Sequence, residues 1–477
     1  MSALSDAKSE TVHVDVASGL PSHARDDLER RLVRKLDLRV SVIALLYALN
    51  NIDKGSIGSA RLGGFEKDLH LRGSQYPALL AIVYVGFVVI QVPGNMFLYW
   101  LERPAILIPC SMVIWGLASA LTGITQNYTQ VLLARLLLGF AEASLFPGAI
   151  FLLSVWYKRD ELAVRATLIS CGSMFSAGFG SLFASGILTG MQGKLGQAGW
   201  RWLFYIEGGI TIIVAIGAMF ILPAFPHNTK WLTPEERSLA ISRLADDGYG
   251  TLVGPGKQTT MQGLRDALSD WKVWWFAVTL AIYHIALSFG AYFPTIVATM
   301  GYDMTVTLLL ASPPWMLAII GAFALSKYSD NARKRYIYIC ASNVCVAVGF
   351  VTSMCTMNTV ARYFSLFLMA QSTAGQMVLW AWIKNTFTRE PAKRASAIAV
   401  IGATSSIGSI AASFVWPLNW GPTYLYSYMI CLAALVVSTV MLGVMYWHLK
   451  RENEQIEKNE RNAGNILQDP VKFRYLV

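Results

Sequence analysis

The chain has 477 residues with a formal net charge of +10; 55% are apolar and only 14% are charged. That balance, with a mean hydropathy of +0.46, lies outside the range of soluble globular domains and marks a membrane protein. No metal-ligand spacing and no nucleophile motif is visible, so neither metal nor enzyme chemistry is expected.

Residues 1–39 are polar and charged, without the apolar core of a cleavable signal, and read as a tail. Twelve apolar runs follow, each long enough to cross about 30 Å of hydrocarbon. The first six are 40–59, 76–99, 104–124, 128–154, 164–190 and 201–223, and the last six are 272–299, 305–326, 336–357, 362–386, 396–417 and 422–448. Lipid offers no partner to an open sheet edge, and the runs lack the alternation of barrel strands, so all twelve are predicted as helices. The fourth contains "RLLLGFAEASLFPG" (135–148), where Arg135, Gly139 and Glu142 share one helix face. Residues 224–271 link the halves 40–223 and 272–448. Within them "WLTPEERSLAISRLADD" predicts a short helix, with Thr233 as N-cap, Pro234 in the first turn and Glu236 closing a capping box. A second polar tail spans 449–477, and the six cysteines read as core fillers.

Basic residues set the orientation. They gather before the first helix (Arg25 to Arg39), after the fourth (Lys158, Arg159, Arg165), after the eighth (Lys327, Arg333, Lys334, Arg335) and after the tenth (Lys393, Arg394). The loops after the third, seventh and eleventh helices hold none. Both termini are therefore expected in the cytoplasm, and the positive charge reads as topology and attraction to anionic lipid, with no nucleic-acid partner. "WYKRDELAVRATLISCGSMFSAG" and "NTFTREPAKRASAIAVIGATSSIG" share a basic loop followed by a small-residue helix, matching Arg159 to Arg389 and Arg165 to Arg394 at 230 and 229 residues. A duplicated six-helix bundle with a site between its copies is the plan of an alternating-access carrier.

"WRWLFYIEGGITI" (201–213), "RLLLGFAEASLFPG", "GFEKDLHLRGSQY" (64–76) and "LTPEER" (232–237) resemble the major facilitator superfamily. More narrowly, they resemble its anion:cation symporter branch and the fungal allantoate permease-like group. The resemblance covers roughly 28–449. It implies an all-α membrane fold of two pseudo-symmetric six-helix bundles, a monomer that suffices, and varied organic anions as cargo. It also implies a cytoplasmic gate, carried here by Asp330, Arg333 and Arg335 in "SDNARKRY", with Asn331 where Arg is common. Asp53-Lys54 stands where the group has Asp-Arg, which keeps the charge and loses the two-pronged fork. The glycine-proline motif of proton antiporters is missing from "ISCGSMFSAGFGSLFASG", which favours symport.

Helical rise sets Arg135 on the order of 10 Å and Glu142 about 20 Å into the membrane, with Asp53 roughly 20 Å from the inner surface. Asp53 and Arg135 thus come to similar depth, where an isolated charge costs at least ~2.5 kcal/mol. Arg135, with Lys54 nearby, is expected to bind the anionic group of the substrate. Asp53 would compete for the same cations and, with Glu142, couple the anion to protons; Glu142, without an obvious basic partner, would take up and release one. The alternative is a structural Arg135–Glu142 ion pair with Asp53 capping a frayed helix. His284, among Tyr283, Phe289, Tyr292 and Phe293, reads as a core histidine or a substrate contact. Gln91, Asn95, Gln371 and Gln376 are further polar candidates for substrate contact. Glu207 reads as a packing and loop-anchoring residue, and Lys384 as a gate or lipid contact.

The expected function is proton-coupled uptake of a small organic anion across the cell membrane. Its energy would come from the proton gradient, with no cofactor. Export of a secondary metabolite on the same fold is the alternative. A membrane enzyme or receptor would need a motif or a soluble domain that the sequence lacks.

Overall fold

A computed structural model describes residues 22–101, 104–223, 225–226, 229, 231–246, 260–387, 391–462 and 475, and among these there is no strand. The N-terminal half comprises α1 (Ser22–Leu62), α2 (Gln75–Leu101), α3 (Pro104–Ile124), a fourth helix in two pieces, α4a (Tyr128–Glu142) and α4b (Leu145–Trp156), then α5 (Arg159–Gly190) and α6 (Gly199–Ile221). The C-terminal half repeats the count, with α7a (Trp271–Ala286) and α7b (Phe293–Ala298), α8 (Met304–Ala332) and α9 (Tyr336–Cys355). It continues with α10a (Thr359–Ala370) and α10b (Ser372–Thr386), α11 (Pro391–Ala412) and α12 (Leu425–Asn462). The result is an all-helical bundle of two six-helix halves.

Among the described residues, seven of the twelve, namely the third, fourth, sixth, seventh, eighth, ninth and twelfth, are long and apolar enough by themselves to cross a membrane. Three more hold shorter apolar stretches: Gln75–Gln91 in α2, Phe175–Gly190 in α5 and Ser396–Ala412 in α11. The remaining two depart for local reasons. α1 carries Asp53 and Lys54 in mid-span, and the tenth helix is broken at Gln371. α1 also begins at Ser22, well before the expected start at residue 40, because Leu32 and Leu36 are buried against α4b and the linker helix.

The breaks in the fourth, seventh and tenth helices have two causes. Pro147 has no N–H to give the Ala143 carbonyl, and Pro294 none for Gly290, so each helix turns aside one turn earlier. No proline marks the tenth. There the Ser342 hydroxyl on α9 donates to the Gln371 carbonyl at 2.8 Å and accepts from the Gly375 N–H at 3.1 Å, taking the place of the helical bond between them. A side chain has entered the ladder.

Small residues set the closest crossings, as lipid-embedded helices require. A Cβ on Gly208 of α6 would stand 2.5 Å from the Gly116 carbonyl of α3, and one on Gly139 of α4a would collide with the backbone of Val83 on α2. The halves meet where α5 packs on α8, α2 on α11 and α1 on α7b. Among the cysteines Cys431 is buried, whereas Cys345 and Cys355 are exposed on or beside α9, so these two do not fill the core.

The end of the bundle that carries the linker, the terminal face, is rich in ion pairs. The predicted capping box forms, with Thr233 N–H to Glu236 Oε2 and Glu236 N–H to Thr233 Oγ1, both 3.2 Å. From this linker helix (Pro234–Asp246) the buried Arg243 reaches Glu161 at 2.6 Å and Glu29 at 3.3 Å, and Glu29 also holds Lys158. Lys35 pairs with Glu236, and Trp231 stacks on Trp156 beneath the Arg39 guanidinium. Arg165 meets Asp37; the counterpart expected for Arg159, Arg389, lies outside the described residues.

At the opposite, distal end, hydrogen bonds tie the halves together. Thr189 meets Thr305 at 3.0 Å, Ser185 reaches the Thr305 carbonyl, and Arg61 of α1 reaches Thr295 of α7b at 3.4 Å. Arg61 is gripped from several sides, by Glu66 at 3.1 Å and by the rings of Tyr76 (4.2 Å) and Tyr292 (5.7 Å).

Candidate functional site

Between the halves lies a cavity of about 350 Å³ with two unlike walls. The N-terminal wall presents Lys54 and Arg135 over the apolar side chains of α2, among them Leu79 and Val83. The C-terminal wall is hydroxyl- and amide-rich, with His284, Ser372, Gln376, Ser409 and Ser413 beside Trp315. One wall offers cations and the other offers hydrogen bonds.

Helical spacing builds the first wall. Residues 50, 53, 54 and 57 of α1 follow the i, i+3, i+4, i+7 pattern, so Asn50, Asp53, Lys54 and Ile57 project on one side. Arg135 and Glu142, two turns apart on α4a, are 2% and 3% exposed. The structure alters the expected pairing. Glu142 does have a basic partner: Lys54 Nζ lies 3.0 Å from its Oε2, and Asn50 Nδ2 donates to its Oε1 at 2.8 Å. Lys54 is therefore engaged with Glu142 while about a third of its side chain stays exposed beside the cavity.

Asp53 is held differently from expectation. Its two oxygens accept from Trp115 Nε1 and, at 2.5 Å, from Ser119 Oγ, an i, i+4 pair on α3, so it caps no helix end and salt-bridges neither cation. Its charge still acts on Arg135. Among the described residues the buried Arg135 has no partner for Nε or Nη2, and its guanidinium carbon lies 5.2 Å from the Phe204 ring centre. A guanidinium rarely goes unpaired when buried, because its desolvation is uncompensated. Here the free donors belong to a side chain that lines the cavity.

On the facing wall, His284 Nδ1 lies 3.1 Å from the Ser405 carbonyl. A carbonyl only accepts, which assigns the proton to Nδ1 and leaves Nε2 to accept from Gln376 Nε2 at 3.3 Å. The imidazole is thus neutral and fixed, with Ser409 Oγ also 3.1 Å from Nδ1.

Other expected residues fall elsewhere. Gln91 faces Gly402 between α2 and α11 instead of lining the cavity. Gln371 sits at the break of the tenth helix with its side chain against Gly321 of α8, and it is Gln376 that reaches the cavity. Asp330 and Arg335 pair at 2.6 Å on the terminal face, with Arg335 also bonded to Ser329 Oγ. Arg333 ends α8 in the left-handed conformation, φ 53°, and is exposed. The side chain of Asn95 lies outside the described residues. Sequence reasoning missed Asn50, Trp115 and Ser119; the helical register of α1 signals the first, and nothing local signals the others.

Comparison with known proteins agrees with this architecture. The family described as Major Facilitator Superfamily matches residues 43–413. MFS-type transporter cnsO of Penicillium expansum is 30% identical, over 94% of this chain and 90% of its own length. A bacterial homologue of the human lysosomal transporter Spinster, solved in an inward-facing and unoccupied conformation, superposes with a TM-score of 0.63 at 16% identity, covering 86% of this chain and 95% of its own. A D-xylose-proton symporter gives 0.62 at 15% identity over 84% and 96%.

Proposed function

Because the chain belongs to the major facilitator superfamily and is a multi-pass membrane transporter rather than an enzyme, we propose that it carries a small organic anion together with protons, by alternating access. The observation that supports this reading most is the buried, doubly unpartnered Arg135 on the wall of the central cavity. A carboxylate can accept both free N–H groups at once, in the geometry that guanidinium favours. Lys54 is the second cation within reach. An anion drawing Lys54 toward the cavity loosens its hold on Glu142, and a buried carboxylate that loses its cation takes a proton. Anion and proton then bind together.

The neutral donors and acceptors of His284, Gln376 and the serines receive the remainder of the substrate. The basic residues of the terminal face support a cytoplasmic setting for that face, and with it for both termini. Direction follows from the proton gradient as uptake across the cell membrane, by a monomer. Asp330, Arg333 and Arg335 act as the cytoplasmic gate of the C-terminal half.

The test is uptake of a panel of labelled small carboxylates into proteoliposomes under an imposed inward proton gradient. Accumulation of one carboxylate, abolished by Arg135→Ala and uncoupled from the gradient by Glu142→Gln, supports the reading. Proton-driven efflux of larger apolar compounds, with no carboxylate accumulated by the wild type, overturns it in favour of export.

A further inference from the structure

Glu207 on α6 is 4% exposed and stands behind the cavity wall, outside the lining. Its Oε1 is 2.5 Å from Ser56 Oγ, and the same Oγ is 2.9 Å from the Ile52 carbonyl. A serine hydroxyl has one proton to give. Donated along α1 to the Ile52 carbonyl, it leaves the Ser56–Glu207 contact without a proton unless the carboxyl supplies one. Among the described residues Oε2 has no hydrogen-bond partner. An ionised carboxylate in such a setting would be almost unsolvated.

The charge inventory points the same way. Three carboxylates, Asp53, Glu142 and Glu207, share this region with two cations, Lys54 and Arg135. Lys54 is engaged by Glu142. Asp53 accepts a bond at each oxygen, as an anion does. The charges that act on Glu207 are those of Asp53 from α1 and Arg135 from α4a. α3 and α5, which also pack on α6, bring it no further charge among the described residues.

We propose that Glu207 is a second proton-binding site of the carrier, its carboxyl protonated in this distally closed conformation and donating to Ser56 Oγ. Loss of that proton to water gives Arg135 a carboxylate to turn to in place of the cargo. Proton at Glu207 and anion at Arg135 are therefore held together and released together. This last step rests on the proton-coupled reading above, whereas the protonation itself does not.

Infrared spectroscopy of the purified full chain tests it without any ligand. The difference spectrum of wild type minus Glu207→Gln at neutral pH is expected to contain a protonated carboxyl C=O stretch. Glutamine is the isostere of the protonated side chain and preserves the fold. A second variant, Ser56→Ala, is expected to move that band to higher wavenumber, since the carboxyl loses its acceptor. A difference spectrum with carboxylate stretches alone overturns the proposal. A wild type that carries its anion without protons, with the C=O band present, overturns only the coupling.

Discussion

Lys54 and Glu142, on the first and fourth spans, form a 3.0 Å ion pair in which the carboxylate is almost fully buried and the ammonium is a third exposed. The two ends of this bond are therefore unequal. Removing the cation strands a buried carboxylate that must take up a proton, whereas removing the carboxylate leaves a cation that still reaches solvent.

Lys54→Met should accordingly be the more damaging single change. Breaking a buried pair from one side costs about 3–5 kcal/mol, and the exposure of Lys54 makes Glu142→Gln milder. The double variant should recover most of the loss. Thermal unfolding of the three purified proteins ranks them; a Lys54→Met protein that melts like wild type would mean the pair contributes nothing.

Arg135→Lys keeps the charge and removes the planar fork. A bidentate contact reduced to a point charge is expected to weaken anion affinity at least tenfold, ~1.4 kcal/mol. The concentration dependence of initial uptake reads this directly. Equal affinity in the two proteins would place the carboxylate elsewhere.

Arg61 joins α1 to α7b through Thr295 while lying over two tyrosine rings. Only the bond to Thr295 and the contact with the Tyr292 ring cross between the halves; Arg61→Gln removes both, worth together ~1 kcal/mol, and so should raise the population open at the distal end roughly fivefold. Modification of an Ile57→Cys reporter by a membrane-impermeant thiol reagent added on the distal side measures it. No change in rate would show that Arg61 does not hold this end shut.

Ser342→Ala takes away the hydroxyl that bridges the Gln371 carbonyl and the Gly375 N–H. Leaving buried backbone groups unpaired costs about 1–3 kcal/mol. A lower unfolding temperature is expected, together with weaker substrate binding, because α10b carries Gln376 to the cavity. A variant with wild-type stability would mean that the helix closes its own bond.

Much of this was legible before any coordinates. Apolar run lengths give the helices, and charges inside those runs single out Asp53, Lys54, Arg135 and Glu142. The breaks at Pro147 and Pro294 have local causes, but run length alone predicts continuous helices over 128–154 and 272–299 and passes over them. Which cation pairs with which carboxylate is not legible, because it depends on how far α1 and α4a rotate about their own axes. The break at Gln371 is hidden for a related reason: its cause is Ser342, a residue of another helix. Glu207 reads as packing until the two acceptors around Ser56 are seen to compete for one proton.

α1 runs unbroken for 41 residues, about 60 Å at helical rise. Near one end Lys35 is tied to the linker helix and at the other Arg61 is tied across to α7b, with Asp53 and Lys54 between them. A helix of that length can curve gently but kinks sharply only by losing hydrogen bonds, so it acts as a lever whose pivot is the binding site. Tilting it to free Arg61 sweeps Ser22 the opposite way, and events at one surface of the membrane become mechanically audible at the other.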